Sequence, residues 1–423
     1  MEKIEKYIFS MEDLDKCLQD KERIVIYGAG NYGKKLIDYM FSIRIERKIK
    51  GIIVTEKKET DCEYRGMKIQ KADSFFAECG ECYVIIAVSI IYQDEIAEIV
   101  NQYGKSYCYC TSELYLELRN RLTPDLVPYS GMDFLCPGFP KCGTSSLYSA
   151  LRMIDGIYLS ESKENYFFKW CENVENPMEV LIKNYFGNIR KGQTVGIIDP
   201  TYVKKAKQIR EFFGGKLKLL FLVRNPVESA FSGFRMAVRL GMGDLDQAYE
   251  SRGGKFNVDM FDEFLERRVH EYEYIDWIEP FEQYYAREQM KIVFLEELIK
   301  EPKAVMNDIL GYIGVSEQYE AEKLPFKNEG NFVMADIEGY RLARLRHETF
   351  YSLHQDLLSL SNPRERYEKR REYMEIKEKY DQAERIYKVK MTQEQRKKAE
   401  KCFNDSVRKL EVFVDRDLSE IWF

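Results

Sequence analysis

The sequence predicts two α/β domains in tandem, each on a mostly parallel central sheet, with extra helices at the C-terminal end of the second. Three observations predict this. The chain has 423 residues, more than one ordinary domain holds and enough for two or three. Hydrophobic residues make up 45% and charged residues 32%, which supplies core for a globular chain and excludes a disordered one. Two strand–glycine loop–helix passages, at residues 23–40 and 133–151, each open what reads as a parallel-sheet unit. The predicted division is 1–118 for the first domain, 119–131 for a linker and 132–423 for the second.

The first passage reads RIVIYGAGNYGKKLIDYM. Arg23–Tyr27 is a short apolar strand. Gly28, Gly30 and Gly33 follow as G-x-G-x-x-G, and a helical period begins. The first glycine permits the tight turn, the second lets backbone N–H groups approach a pyrophosphate, and the third lets helix and strand pack closely. The helix N-terminus adds partial positive charge. A second strand, Lys50–Val54, ends near Glu56, which is placed to accept bonds from a ribose hydroxyl; Tyr83–Ser89 is another buried-strand candidate. The pattern is Rossmann-like. It fits a nucleotide or nucleotide-sugar held by Gly28, Gly30, Gly33 and Glu56, and it fits a scaffold without a ligand. Tyr64 and Lys68 share the Tyr-x-x-x-Lys spacing of some reductases, but they flank Gly66 in what reads as a hairpin, not a helix. The segment resembles the N-terminal Rossmann-like domain of several bacterial surface-polysaccharide enzymes.

The linker signal lies within Leu116–Met132, where RLTPDLVPYSGM brings two prolines and a glycine. The second passage, DFLCPGFPKCGTSSLYSAL, runs from Asp133 to Leu151. Phe134–Cys136 is a strand end, Gly138 and Gly143 shape a loop, and a helix starts at Thr144. The glycines have P-loop spacing, but the Gly-Lys-Ser/Thr of a nucleotide kinase is absent. Lys141 sits inside the loop, and Thr144, Ser145 and Ser146 follow Gly143. A Walker lysine reaches β- and γ-phosphates with its neighbouring hydroxyl on magnesium. The arrangement here suits a single terminal phosphate-like group held by N–H groups, hydroxyls and one ammonium. Farther on, Pro363–Lys401 is dense in Glu, Lys and Arg, and its i,i+4 opposite charges predict solvated helices.

Pro140-Lys141-Cys142-Gly143-Thr144-Ser145-Ser146-Leu147 closely resembles the 5′-phosphosulfate loop of the sulfotransferases that use 3′-phosphoadenosine 5′-phosphosulfate (PAPS). A second stretch, LKLLFLVRNPVESAFSGF from Leu217 to Phe234, resembles the family's 3′-phosphate motif: a strand, Arg224-Asn225-Pro226, then a helix bearing Ser232. The resemblance implies that Arg224 and Ser232 bind the 3′-phosphate; a guanidinium suits that bidentate grip. Many relatives carry a second arginine where this chain has Ser229. Trp277, Met290–Val315 and the ending DRDLSEIWF with Trp422 extend the resemblance over residues 132–423. The carbohydrate-sulfating, heparan-sulfate-like branch fits better than the phenol branch, whose histidine has no counterpart among His270, His347 and His354.

The implied reaction is in-line, metal-independent transfer of a sulfuryl group from PAPS to a hydroxyl of a sugar, glycan or glycolipid, releasing adenosine 3′,5′-bisphosphate. Lys141 is the cation at the bridging oxygen. Lys163-Glu164-Asn165-Tyr166-Phe167-Phe168 supplies the Lys-Glu pair of the carbohydrate branch: Glu164 as base, a role a carboxylate can fill if burial raises its pKa toward neutrality, and Lys163 facing substrate or sulfate. Asp199 in GIIDPTYV is the rival base, although Ile197 and Ile198 replace a charged pair found in relatives. Lys327 and Gly330 match a loop over the nucleotide. The alternatives are a P-loop-type nucleotide kinase, or a nucleotide-binding scaffold with a degenerate transferase domain, suggested by Ser229 and Ile197-Ile198.

Charge narrows the partners. Basic residues number 65 and acidic 71, a net charge of −6, which argues against nucleic acid. The longest apolar stretch, Tyr83–Tyr92, is ten residues long and contains Ser89, about half a membrane span. MEKIEKYIFSMEDLDK lacks the apolar core of a signal peptide. A cytoplasmic enzyme is therefore expected, with its ten cysteines as free thiols; the resemblance, with no Golgi anchor expected, implies a bacterial one. Cys79-x-x-Cys82, near Cys108 and Cys110, falls short of two matching zinc pairs, so no metal is expected. Cys142 reads as a packing residue rather than a nucleophile.

Overall fold

The computed structural model describes residues 7–8, 10–56, 63–88, 90–122, 126–325, 332–359 and 363–422. The chain forms two compact units: Met1–Leu126 with Tyr351–Glu372, and Val127–Phe350 with Tyr373–Phe423.

Among the described residues the first unit carries seven strands: β1 (Tyr7–Ile8), β2 (Ile24–Tyr27), β3 (Ile49–Val54), β4 (Glu63–Tyr64), β5 (Met67–Lys71), β6 (Tyr83–Ile86) and β7 (Ser106–Cys110), in the order β1-β7-β6-β2-β3-β5-β4. All neighbours are parallel except β4 and β5. The apolar run of β2 follows from burial on both faces. Ile24 and Ile26 join one core with Leu36, Ile37 and Met40; Val25 and Tyr27 join the other with Phe76, Ile96 and Val100. The Gly66 hairpin is present, with positive φ at both Arg65 and Gly66. Tyr64 donates to Asp38 at 2.9 Å, so its hydroxyl serves the fold. The helix Ser112–Leu122 carries the chain through the first residues that the sequence assigned to the linker, and Arg119 on it is 2% exposed. Proline and glycine mark only where a helix cannot continue, so they placed that start too early.

The second unit is built on β8 (Phe134–Gly138), β9 (Ile157–Leu159), β10 (Thr194–Ile198), β11 (Lys218–Val223) and β12 (Met290–Phe294), all parallel, in the order β12-β11-β8-β10-β9. The first strand, β8, lies at the centre. From β8 the chain crosses to the edge strand β9, returns to β10 beside β8, and then passes to the other side through β11 and β12. The connections after the neighbours β8 and β11 leave in opposite directions, so the crevice where ligands bind in such sheets lies at the carboxyl ends between them. Two short antiparallel strands, β13 (Phe332–Met334) and β14 (Arg385–Tyr387), lie outside this sheet. The charge-rich stretch after Pro363 is helical over Pro363–Gln382, but the following helix, Gln393–Val414, is not merely solvated. It buries Ala399, Phe403, Val407 and Leu410 in the core of the unit. Apolar residues every three to four positions decide this against the surrounding charge. Among the described residues, no helix is long and apolar enough to cross a membrane.

Candidate active site

Four of the chemistry-bearing segments leave the carboxyl ends of four parallel strands. Lys141 follows β8, Lys163 and Glu164 follow β9, Asp199 follows β10 and Arg224 follows β11.

The loop after β8 turns through two left-handed residues, Lys141 (φ 67°) and Gly143 (φ 88°). A Cβ at Gly143 would also run into the Leu295 side chain at the end of β12, so glycine is required there twice over. The helix Thr144–Leu151 begins at once; its Ser146 and Leu147 N–H groups donate to the Gly143 carbonyl at 3.0 and 3.1 Å, which leaves the Thr144 and Ser145 N–H groups as the first-turn donors for a ligand. Thr144 and Ser146 are buried, while Gly143 and Ser145 are half-buried. Pro140 is exposed. Cys142 points away from solvent, its Sγ 3.4 Å from the Tyr274 hydroxyl and 3.6 Å from the Ser229 hydroxyl. Burial pushes its thiol up to about 11, so the side chain packs the loop onto the next helix.

That helix, Pro226–Leu240, is capped by Asn225, whose Oδ1 accepts from the Val227 and Glu228 N–H groups at 3.0 and 3.4 Å. Asn225 Nδ2 donates to the Trp422 carbonyl at 2.5 Å, and its N–H donates to Glu296 at 2.8 Å. Trp422 Nε1 reaches the same carboxylate at 3.1 Å. The C-terminal tryptophan thus anchors the turn that presents Arg224. Arg224 donates to the Lys141 carbonyl at 3.4 Å and lies 3.8 Å from Glu228, joining the two loops. Ser229 is fully buried and donates to the Pro140 carbonyl at 3.4 Å. Ser232 is half-buried on the same helix.

Lys141 Nζ lies 3.6 Å from Met236 Sδ. Burial, then the charges of Arg239, Arg235, Arg224 and Lys163, push its pKa down to about 8. Desolvation disfavours the ammonium and each neighbouring cation adds to that. The site is thus a half-buried concentration of positive charge.

On the other side, Lys163 pairs with Glu164, and the Tyr166 hydroxyl donates to Glu164 at 2.8 Å. Burial works to raise the Glu164 pKa, but Lys163's charge and hydrogen bond, the Tyr166 hydroxyl and Lys141 outweigh it and hold the carboxyl below its ordinary value. Burial alone therefore does not carry the Glu164 carboxyl toward neutrality: the adjacent lysine and the Tyr166 hydroxyl decide the sign. Asp199 is fully buried. It accepts from the Thr201 N–H and hydroxyl at 3.0 and 2.6 Å and from the Tyr166 N–H at 3.0 Å. Burial raises its pKa despite those bonds. Both its oxygens are occupied in holding the chain around Glu164.

In the first unit, Gly28 has φ 123°, with a Cβ there meeting the Ala87 carbonyl, and a Cβ on Gly33 would strike the Gly28 carbonyl. Those two glycines are required by packing. Nothing lies within 4 Å of a Cβ at Gly30. Glu56 is exposed just after β3. Lys327 and Gly330 lie outside the described residues.

The model of the family described as "Sulfotransferase domain" matches residues 132–412. The chain belongs to the sulfotransferase family. No curated protein matches it. Among solved structures, the chain is similar to a sulfotransferase from Alicyclobacillus acidocaldarius, with 19% identity, a TM-score of 0.44, and 69% of this chain and 99% of that one covered. It is also similar to the sulfotransferase domain of the Synechococcus PCC 7002 olefin synthase, with 15% identity, a TM-score of 0.29, and 46% and 77% covered. A third is the sulfotransferase domain of the curacin biosynthetic pathway, with 15% identity, a TM-score of 0.31, and 48% and 83% covered.

Sequence reading missed Tyr166, Arg235 and Arg239 in this sulfotransferase. Arg235 and Arg239 lie three and seven residues beyond Ser232 on a helix already assigned. That helical spacing was the available signal.

Proposed function

We propose that this sulfotransferase transfers the sulfuryl group of PAPS, in line and without a metal ion, to a hydroxyl of a sugar, glycan or glycolipid, releasing adenosine 3′,5′-bisphosphate. The observation that carries the reading is Lys141: a half-buried ammonium in a glycine-shaped loop, surrounded by further cations. Such a site suits a polyanionic donor. The bound donor supplies an activated sulfuryl group on a phosphate leaving group. Pro140 to Ser146 would hold its 5′-phosphosulfate through hydroxyls and first-turn N–H groups. Arg224 and Ser232 would grip the 3′-phosphate, with Lys327 and Gly330 over the nucleotide. Lys141 would neutralise charge on the leaving oxygen. The acceptor oxygen forms the new S–O bond, the bond to the 5′-phosphate breaks, and the hydroxyl proton passes to Glu164. Lys163 would exchange its Glu164 partner for the sulfuryl oxygens. Asp199 acts as a positioning residue, holding Tyr166, whose hydroxyl orients Glu164.

The same reading places the enzyme in a bacterial cytoplasm, supported by the free buried thiols Cys82, Cys108, Cys136 and Cys142. For the first unit we propose a nucleotide or nucleotide-sugar at Gly28, Gly30, Gly33 and Glu56, supported by the open space at Gly30. Gly30→Val should abolish any thermal shift given by a nucleotide-sugar.

The donor assignment is tested by thermal shift. Adenosine 3′,5′-bisphosphate should stabilise the protein and AMP much less, and Arg224→Ala should erase the difference. Equal shifts in the wild type would sink the assignment. Turnover of labelled PAPS against glycans and lipids, read by mass spectrometry, then identifies the acceptor.

A further inference from the structure

The helix Pro226–Leu240 carries more positive charge toward the site than the 3′-phosphate motif uses. Glu228, Ser232, Arg235, Met236 and Arg239 recur at three- and four-residue spacing, so they share one face. The contact of Met236 Sδ with Lys141 Nζ at 3.6 Å sets that face against the loop after β8. Arg224 is held near Glu228, which also pairs with Arg396, and Lys163 is held by Glu164. Arg235 and Arg239 differ. The Nε of each is buried without a hydrogen-bond partner, and neither makes an ion pair among the described residues. The Arg235 guanidinium lies 5.4 Å from the Phe231 ring centroid, which orients it without neutralising it.

Both side chains are half-buried with a sealed, unsatisfied Nε, which is costly, and two cations on one helix face beside a third is a repulsive arrangement that an anion relieves. Burial and the charges of Arg224 and Arg239 pull the Arg235 pKa down against the opposing charge of Glu228, and Arg239 is the strongest cationic influence on Lys141. The donor's anionic groups already have Lys141, Arg224, Ser232 and the loop hydroxyls.

We propose that Arg235 and Arg239 form an anion subsite for the acceptor, so that the preferred acceptor carries a carboxylate, phosphate or existing sulfate close to the hydroxyl that is sulfated. The proposal rests on the PAPS-dependent reading above and narrows its acceptor from sugars in general to acidic ones. A guanidinium pair suits such a group through bidentate, charge-assisted bonds.

The test uses the full-length protein saturated with adenosine 3′,5′-bisphosphate, so that the donor's phosphate sites are filled. Two fluorescent probes are titrated: 4-methylumbelliferyl β-D-glucuronide and the matching uncharged glucoside. The wild type should bind the glucuronide about tenfold or more tightly than the glucoside. In Arg235→Gln and Arg239→Gln that preference should shrink to about twofold or less, with adenosine 3′,5′-bisphosphate affinity within about twofold of wild type. Arg→Lys at the same positions should restore part of the preference, which a folding defect would not. Equal affinity of the wild type for both probes, or no binding of either, overturns the proposal. So does a tenfold loss of adenosine 3′,5′-bisphosphate affinity in the glutamine variants, which would move the two arginines to the donor. Failure of the wild type to bind adenosine 3′,5′-bisphosphate in preference to AMP is a separate result and overturns the donor assignment instead.

Discussion

At Lys141 the protein holds an ammonium where burial and four neighbouring cations oppose its charge, with the pKa pushed down to about 8. The sign of the consequence follows from linkage. The folded value lies below the ordinary 10.5, so the charge costs stability below about pH 8 and that cost fades as pH rises toward 10.5. Lys141→Met is therefore expected to raise the melting temperature at pH 7, with the gain gone near pH 10.5; an unchanged melting curve would contradict the placement. Binding runs the other way. Affinity for adenosine 3′,5′-bisphosphate should weaken above about pH 8 in the wild type, and Lys141→Met should flatten that dependence while binding weakly throughout. Glu164 differs from Asp199 in access: its side chain is 33% exposed, whereas Asp199 is sealed. Glu164→Gln should lower kcat by about 10²–10⁴ with donor affinity near wild type. Asp199→Asn should instead cost about 1–3 kcal/mol of stability, because the amide nitrogen cannot accept from the Tyr166 N–H. If Glu164→Gln turns over normally and Asp199→Asn is dead but folded, the base is Asp199.

At the scale of elements, the site depends on how two helices start. The helix Thr144–Leu151 follows Gly143, whose φ of 88° and contact with Leu295 leave no room for a side chain. Gly143→Ala should destabilise by about 1–3 kcal/mol and abolish the thermal shift with adenosine 3′,5′-bisphosphate. Adding Leu295→Ala removes the clash but not the backbone strain, so it should recover only part of the loss. The helix Pro226–Leu240 starts at Asn225, which caps it and ties it to Trp422. Asn225→Ala should cost about 1–2 kcal/mol and weaken donor-product binding by loosening Arg224. A calorimetric affinity equal to wild type would show that Arg224 is positioned without the cap.

Across the whole molecule, the described site residues of the sulfotransferase reaction fall in the unit of Val127–Phe350 with Tyr373–Phe423. A chain beginning at Val127 is accordingly expected to bind adenosine 3′,5′-bisphosphate within about twofold of full length. A folded, monodisperse truncation without that affinity would assign the first unit a part in donor binding. In the two sheets the strand that leads into the glycine loop has two parallel neighbours: β2 is flanked by β6 and β3, and β8 by β11 and β10. Each puts its glycine loop at the carboxyl end of a fully buried parallel strand, which is why both loops stood out in the same way.

The sequence by itself determined the family, the parallel α/β architecture and the residues of the two motifs. Those depend on local constraints: a strand buried on both faces must be apolar, a left-handed turn calls for glycine, and a helix start needs its cap. The spacing of Lys141, Gly143, Arg224 and Ser232 along the chain records such constraints directly. The sign of the Glu164 shift, the sealing of Asp199 and the unsatisfied Nε atoms of Arg235 and Arg239 come from tertiary structure alone. Each depends on desolvation and on charges brought together from loops after different strands, Lys163 from β9 beside Lys141 from β8 and Arg224 from β11. Burial and charge proximity are sums over neighbours in space, and a linear sequence names the neighbours without saying which of them meet.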